Sequence, residues 1–393
     1  MAEKKGQYTL TAKTLFGLEE ILAEELRQLG ASDIEILKRA VSFSGDKALM
    51  YRANICCRTA TRILKPIAVF HAADGDELYS RIARISWSRF MDNNNSLAVD
   101  SVVSHSGIAN SQYAAQRVKD AIVDQFREKT GQRPSVDLEN PDIRLNLHIH
   151  QDRATISLDS SGIPLHKRGY RTSGGPAPLN ECLAAGIVLM SGWDGTSSFI
   201  DPMCGSGTIV LEAAMIADRI APGLGRTHFG FMNFKDYAPG LYRTLIEKEK
   251  AHIRTESSGV IVGSDRESSQ IALAKEHARR AGLANRVSFS VSDFAEQTPP
   301  PAPGVLITNP PYGERLRPDD LERLYQSIGD TLKGHYTDYD AFIFTGNLPA
   351  AKKIGLRTSR RIHLFNGPLE CRLLKFEMYR GSRKASKNQS PQE

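Results

Sequence analysis

The chain has 393 residues, with 51 Lys plus Arg against 45 Asp plus Glu and a net charge of +6. That length predicts two or three domains at about 100–200 residues each. With 40% hydrophobic and 24% charged residues, the composition excludes a disordered, collagenous or membrane-embedded chain. The longest run of apolar residues and glycine, Cys182 to Met190, falls far short of the roughly 20 residues that a membrane-spanning helix needs. No apolar block follows the basic start, so a secretory signal is not expected either. Five cysteines with no CxxC pair and no histidines at zinc spacing predict reduced thiols in a cytoplasm, and no metal. Positive charge gathers at the end: Ala351 to Glu393 holds 11 Lys plus Arg and three acids, which suits a polyphosphate partner.

In chain order, Tyr8 to Ala12 predicts a strand. Leu18, Ile21, Leu22, Leu26 and Leu29 fall on one face of a helix that stops at Gly30. Strands follow at Ile34–Lys38 and Ala40–Ser44, then at Ile63–Phe70 and Leu97–Val103, with helices at Glu77–Ile85 and Ser111–Lys129. Pro66 predicts an edge position for the strand that contains it, because proline cannot donate to a ladder. Ile143 to Ile149 and Ala154 to Leu158 alternate apolar and polar residues around Gln151-Asp152, a hairpin with one wet face.

After Pro178 strand and helix alternate: helix Glu181–Ser191, strand Ser198–Ile200, helix Thr208–Ile220, an insertion from about 218 to 258, strand Val260–Gly263 and helix Ser268–Ala281. Strands Val287–Val291 and Val305–Thr308, helix Leu321–Lys333 and strand Ala341–Phe344 come next, and a hairpin turning at Asn366-Gly367-Pro368 closes the pattern. This alternation predicts an α/β, doubly wound, mostly parallel sheet with an antiparallel closing hairpin, preceded by an α+β region. The expected division is an N-terminal subdomain over 1–60, a second domain over 61–162, a linker over 163–178, the α/β domain over 179–380 and a disordered basic tail over 381–393.

Asp201-Pro202-Met203-Cys204-Gly205-Ser206-Gly207-Thr208 stands where a strand turns into a helix. Its glycines let the backbone approach a ligand, and the helix start offers free N–H groups. No Gly-Lys-Ser/Thr follows, and Val210 occupies the place of a third dinucleotide-binding glycine. Asp265 and Asp293 close the next two strands, where an open parallel sheet forms a crevice. The first acid can accept ribose hydroxyls and the second an adenine amine. Singly, such an aspartate serves a turn or an N-cap; with the glycine loop, the set points to a nucleoside cofactor.

After the fourth core strand comes Asn309-Pro310-Pro311-Tyr312, continuing to Arg315. Two prolines remove two N–H donors. The Asn309 side-chain oxygen and the Pro310 carbonyl then form an acceptor pocket beside a tyrosine ring. Such a pocket fits a planar group bearing an NH2, whose lone pair it can aim at an electrophilic carbon through positioning and oriented dipoles.

Together these motifs resemble the S-adenosylmethionine-dependent amino-methyltransferases, which include N6-adenine, N2-guanine and glutamine-N5 enzymes. His166 to Arg171, Ala177 to Glu181, the Gly-Glu-Arg extension after Tyr312, and Phe365 to Glu370 make the chain similar to the THUMP-domain N2-guanosine RNA methyltransferases, of the RlmL-like type acting on 23S rRNA. The resemblance covers about residues 5 to 380 and implies a ferredoxin-like piece and a THUMP domain that grip RNA, then a Rossmann-like methyltransferase domain. The resemblance is to the single-module form, so one modification activity is expected, without the second methyltransferase half that some relatives carry.

By family position, Asp201, Cys204, Gly205, Gly207 and Thr208 would cradle S-adenosyl-L-methionine, with Asp265 on its ribose, Asp293 on its adenine, and Glu181 and Asn309 lining the same crevice. Asn309, Pro310 and Tyr312 would be catalytic. Arg168, Tyr312, Arg315 and Asn366 would meet the target guanosine of a 23S rRNA or an assembly intermediate. The alternatives are a tRNA guanosine-N2 methyltransferase, an N6-adenine methyltransferase and a non-catalytic RNA-binding assembly factor.

Overall fold

The structure is a computed structural model that describes residues 6–171, 179–255, 259–312 and 317–379. It divides into two units, each discontinuous in sequence. The first is built from residues up to Thr14, Leu22–Lys167 and Arg226–Glu249, and the second from Leu15–Ile21, Arg168–Gly225 and residues from Lys250 onward. The expected tail over 381–393 and part of the expected linker, 172–178, lie outside the described residues.

The first unit contains β1 (Tyr8–Thr14), α1 (Glu19–Gln28, whose first residues up to Ile21 belong to the second unit), β2 (Ser32–Leu37), β3 (Ala40–Gly45), α2 (Lys47–Cys56), β4 (Ala60–His71), α3 (Gly75–Ala83) and β5 (Ser96–Ser104). It continues with α4 (Ser111–Thr130), β6 (Ser135–Val136), β7 (Ile143–His150) and β8 (Arg153–Asp159). Its eight strands form one sheet in the order β2-β3-β1-β4-β8-β7-β5-β6. Asn110 caps α4 by accepting from the Tyr113 N–H, Gly131 ends it at φ 72, and Ala114, Val118, Ala121, Ile122 and Phe126 bury its inner face. The β7–β8 turn has positive φ at both Gln151 and Asp152, the conformation that suits the twist of a two-residue hairpin.

One expectation is overturned here. β4 is central, not an edge: Ala60 to Leu64 pair with β1, and Leu64 to His71 pair with β8. Pro66 is tolerated because it lies past the last β1 pair and at a register shift in the β8 ladder, so its missing N–H breaks no bond on the β1 side. The insertion contributes to this unit as well. Phe229 and Phe231 stack at 5.2 Å, and Phe231 stacks on Tyr51 of α2 at 4.1 Å.

The second unit contains α5 (Glu181–Ser191), β9 (Ser198–Asp201), α6 (Thr208–Ala217), α7 (Pro239–Ala251, most of which belongs to the first unit), β10 (Ile261–Asp265) and α8 (Ser268–Arg280). It ends with β11 (Ser288–Val291), β12 (Gly304–Thr308), α9 (Pro318–His335), β13 (Tyr339–Thr345), β14 (Arg360–Asn366) and β15 (Leu369–Glu377). Seven strands are ordered β11-β10-β9-β12-β13-β15-β14. The first five are parallel, and β15 enters antiparallel between β13 and β14. Every residue of β9 and β12 is buried, as covered parallel strands require. From β9 the chain winds outward to β10 and β11, then returns to the other side of β9 at β12. The strand order therefore switches direction between β9 and β12, and a crevice opens beyond their carboxyl ends. Among the described residues no helix is long and apolar enough to cross a membrane, and no cluster of three or more side chains could hold a metal.

Candidate active site

Asp201 is the last residue of β9 and Thr308 the last of β12. The Thr308 hydroxyl donates to Asp201 Oδ1 at 2.8 Å, tying the two strands at the switch point. The Met203 N–H donates to the same oxygen at 3.2 Å. Burial pushes the Asp201 carboxyl up to about 7, because little solvent is left to stabilise its charge.

The loop after β9 is braced by β10. The Cys204 N–H donates to the Ser264 carbonyl at 2.8 Å and the Gly205 N–H to Asp265 Oδ2 at 2.9 Å. Asp265 Oδ1 accepts from the Glu267 N–H at 3.0 Å, which leaves each carboxylate oxygen one further lone pair. Burial raises the Cys204 thiol well above its ordinary range and keeps it protonated. Gly205 and Gly207 have φ 51 and 86. A Cβ on Gly207 would lie 3.0 Å from Phe289, whereas one on Gly205 would meet nothing nearer than Gln270 at 3.9 Å. Gly205 thus leaves open space above the loop. Asp293, exposed beyond β11, accepts from the Ala295 N–H at 3.0 Å.

Glu181 opens α5 and is buried, which pushes its carboxyl up to about 7 against the pull of Arg171. Arg171 Nε lies 3.2 Å from Glu181 Oε1. Its Nη2 donates to the Thr208 hydroxyl at 2.6 Å and to the Leu179 carbonyl at 2.7 Å. Glu181 Oε2 has no hydrogen-bond partner among the described residues. Arg171 is a residue that sequence reasoning missed as a site residue. Its only signal is its place at the end of the basic His166-to-Arg171 run.

Asn309 to Tyr312 follow β12 directly. The Tyr312 hydroxyl donates to Asn309 Oδ1, so the acceptor that the sequence leaves open is engaged within the turn. The side chains of Asn366 and Cys371 stand beside this hydroxyl. The predicted residues Asn309, Tyr312 and Asn366 therefore come together, although Asn366 is reached only through the closing hairpin. Two side chains fix the turn from below: Asn347 Nδ2 donates to the Tyr312 carbonyl at 3.1 Å, and the Tyr325 hydroxyl to the Pro311 carbonyl at 3.4 Å. Arg315 lies outside the described residues.

Arg168 is turned inward. Its Nε and Nη2 lie 3.3 and 3.4 Å from the two oxygens of Glu212 on α6, and the two residues are 4% and 0% exposed. The Tyr170 hydroxyl donates to the same carboxylate at 3.3 Å. The guanidinium charge is neutralised inside the unit.

This strand order, with its reversed closing hairpin, is the one that a Rossmann-like methyltransferase domain uses. The chain belongs to the family of the RMKL-like methyltransferase domain, whose model matches residues 168–375. A THUMP domain model matches residues 72–159 and an RlmL ferredoxin-like domain model residues 9–64. The chain is similar to the ribosomal RNA large subunit methyltransferase K/L of Syntrophotalea carbinolica, at 45% identity over 92% of this chain and 52% of that one. It is 42% identical to a putative RNA methyltransferase of Synechocystis sp., over 92% of this chain and 95% of that one. The chain spans about half the length of the K/L relatives it matches. A solved putative methyltransferase complexed with SAH superimposes with a TM-score of 0.87 at 28% identity, covering 96% of this chain and 100% of that one.

Proposed function

We propose that this chain methylates the exocyclic N2 amine of a guanosine in 23S rRNA, using S-adenosyl-L-methionine. The observation that carries the reading is the Thr308–Asp201 bond. It holds the glycine loop and the Asn309–Tyr312 turn on adjoining strand ends, as a transfer from a nucleoside cofactor to an amine requires.

The residues fit that cofactor. Gly205 leaves room over the loop, and Asp265 and Asp293 offer acceptors for hydroxyls and an amine. The unpartnered, buried Glu181 oxygen gives a further polar anchor in the same crevice. S-adenosylmethionine supplies, when bound, a methyl group already activated by its sulfonium. The chain's own part is to hold the amine. Asn309 Oδ1 and the Pro310 carbonyl accept its two hydrogens, which lets the nitrogen pyramidalise and present its lone pair. The Tyr312 ring stacks the base after it leaves its helix, a contact of about 1–3 kcal/mol that offsets part of the unstacking cost. The surplus proton leaves to solvent. The ferredoxin-like and THUMP regions grip the RNA.

The test is to incubate the chain with labelled cofactor and separate pools of undermodified rRNA, tRNA and DNA, then digest and identify the methylated nucleoside by mass. N2-methylguanosine in 23S rRNA, lost in Asn309→Ala, is the expected result. Methyladenine, or label confined to tRNA, would overturn the substrate while keeping the cofactor. No label in any pool, with RNA binding intact, would make the chain a binding factor.

A further inference from the structure

The eight-stranded sheet of the first unit has one face packed on its helices and one that carries charge. Residues directly opposite across a ladder share a face, and faces alternate along a strand. Lys13 on β1 lies opposite Arg62 on β4. Two residues along β4, Leu64 lies opposite Asp159 on β8, so Lys13, Arg62 and Asp159 share the charged face. Thr155 and His148 are opposite, as are Arg153 and His150, and Asp100 on β5 lies beside Asn146. His148, Arg153, Asp100 and Arg144 therefore stand on this face too.

Arg62 Nη2 lies 3.7 Å from Asp100 although β8 and β7 separate their strands. Three strand spacings of about 4.8 Å come to about 14 Å, a span that the two side chains cover by lying across the face. The acids of this face are already engaged: Asp159 pairs with Arg62, and Asp100 is shared by Arg62 and, at 3.1 Å, Arg144. Lys13, His148 and Arg153 have no ion pair or side-chain hydrogen bond among the described residues. Burial, then Arg62, holds the Lys13 ammonium below its ordinary range. Burial, then Lys13 and His150, does the same to His148. Asp159 and Asp100 offset part of this repulsion at Lys13 without pairing with it.

The face also crosses the line between the two N-terminal regions. β1 and the first half of β4 belong to the ferredoxin-like match, and β5, β7 and β8 to the THUMP match. We infer that this charged face, shared by both regions, seats the phosphate backbone of the RNA substrate, with Lys13, His148 and Arg153 as phosphate contacts. The inference rests on the RNA reading above and assigns it a surface. A phosphodiester chain supplies the dense negative charge that the Lys13 and Arg153 cations complement, and the His148 imidazole, held toward its neutral form, can donate one N–H to a phosphate oxygen.

The experiment measures binding of the full chain to transcribed 23S rRNA over a salt series. Each phosphate contact removed lowers the steepness of log affinity against log salt by about 1. Lys13→Gln/Arg153→Gln should therefore flatten it by about 2, and Lys13→Arg/Arg153→Lys should leave it as in the wild type. An unchanged slope and affinity in a folded Gln variant would overturn this surface while leaving the RNA reading intact. A wild type that binds no RNA would sink both. If the Gln variant unfolds, acylation of Lys13 in the wild type decides: protection by bound rRNA supports the surface, and undiminished labelling overturns it.

Discussion

Tyr312 donates its hydroxyl to the side-chain oxygen of Asn309, so the turn caps its own acceptor, with the Asn366 side chain beside the same hydroxyl. Tyr312→Phe keeps the ring and frees the oxygen, and should leave kcat/KM for RNA methylation unchanged or raised. Tyr312→Ala removes the stacking surface and should lower it about 10- to 100-fold, matching roughly 1–3 kcal/mol for one stacked base. Initial rates on the same RNA compare the two. A larger loss in the Phe variant would mean that the hydroxyl itself takes part.

The two loop glycines should behave differently when replaced by alanine. Both have positive φ, which costs an L residue about 1–2 kcal/mol. At Gly207 the new Cβ also presses on Phe289, so stability should fall further. At Gly205 the Cβ enters open space where the cofactor is proposed to lie, so the variant should fold and lose cofactor affinity. Urea unfolding and calorimetric titration with S-adenosylhomocysteine separate the outcomes.

Glu212→Gln strands the buried Arg168 charge and should cost about 3–5 kcal/mol, the usual penalty for breaking a buried pair from one side. Arg168→Met with Glu212→Leu should recover most of it. Since Arg168 faces inward, the double variant should keep wild-type RNA affinity. A folded double variant with weakened binding would instead make Arg168 a substrate contact.

Asp201 and Glu181 both titrate near 7 because they are buried. An unfolded carboxyl loses its proton near pH 4. Between about pH 4 and 7 the folded state therefore holds protons that the unfolded state has released, and stability falls as pH rises through that window. Urea unfolding at pH 5, 6, 7 and 8 should show a steeper decline in the wild type than in Asp201→Asn/Glu181→Gln. Equal slopes would mean that neither carboxyl is protonated in the folded chain.

Most of the sheet order was legible because each strand and helix of the second unit carries its own local signal, from the Asp201–Thr208 loop to the closing hairpin. What escaped was non-local. α2 went unseen because Leu49, Met50, Tyr51, Ala53, Asn54 and Ile55 are all buried, leaving no stripe for periodicity to detect. Pro66 was misread because its place depends on where β1 stops pairing, a fact held by another segment. Arg168 has a partner 44 residues away on α6, and nothing near it in sequence announces Glu212.

The stack of Phe229 and Phe231 on Tyr51 also bears on how such a chain can be rearranged. A stretch that interrupts the methyltransferase sequence fills part of the neighbouring unit's interior. Grafting a different methyltransferase behind this N-terminal unit would leave Tyr51 facing a hole, and moving this methyltransferase elsewhere would set two phenylalanines loose in water. The pair is bound to be inherited as one piece, and recombination between the two halves is expected to yield chains that misfold unless the 226–249 stretch travels with its old neighbour.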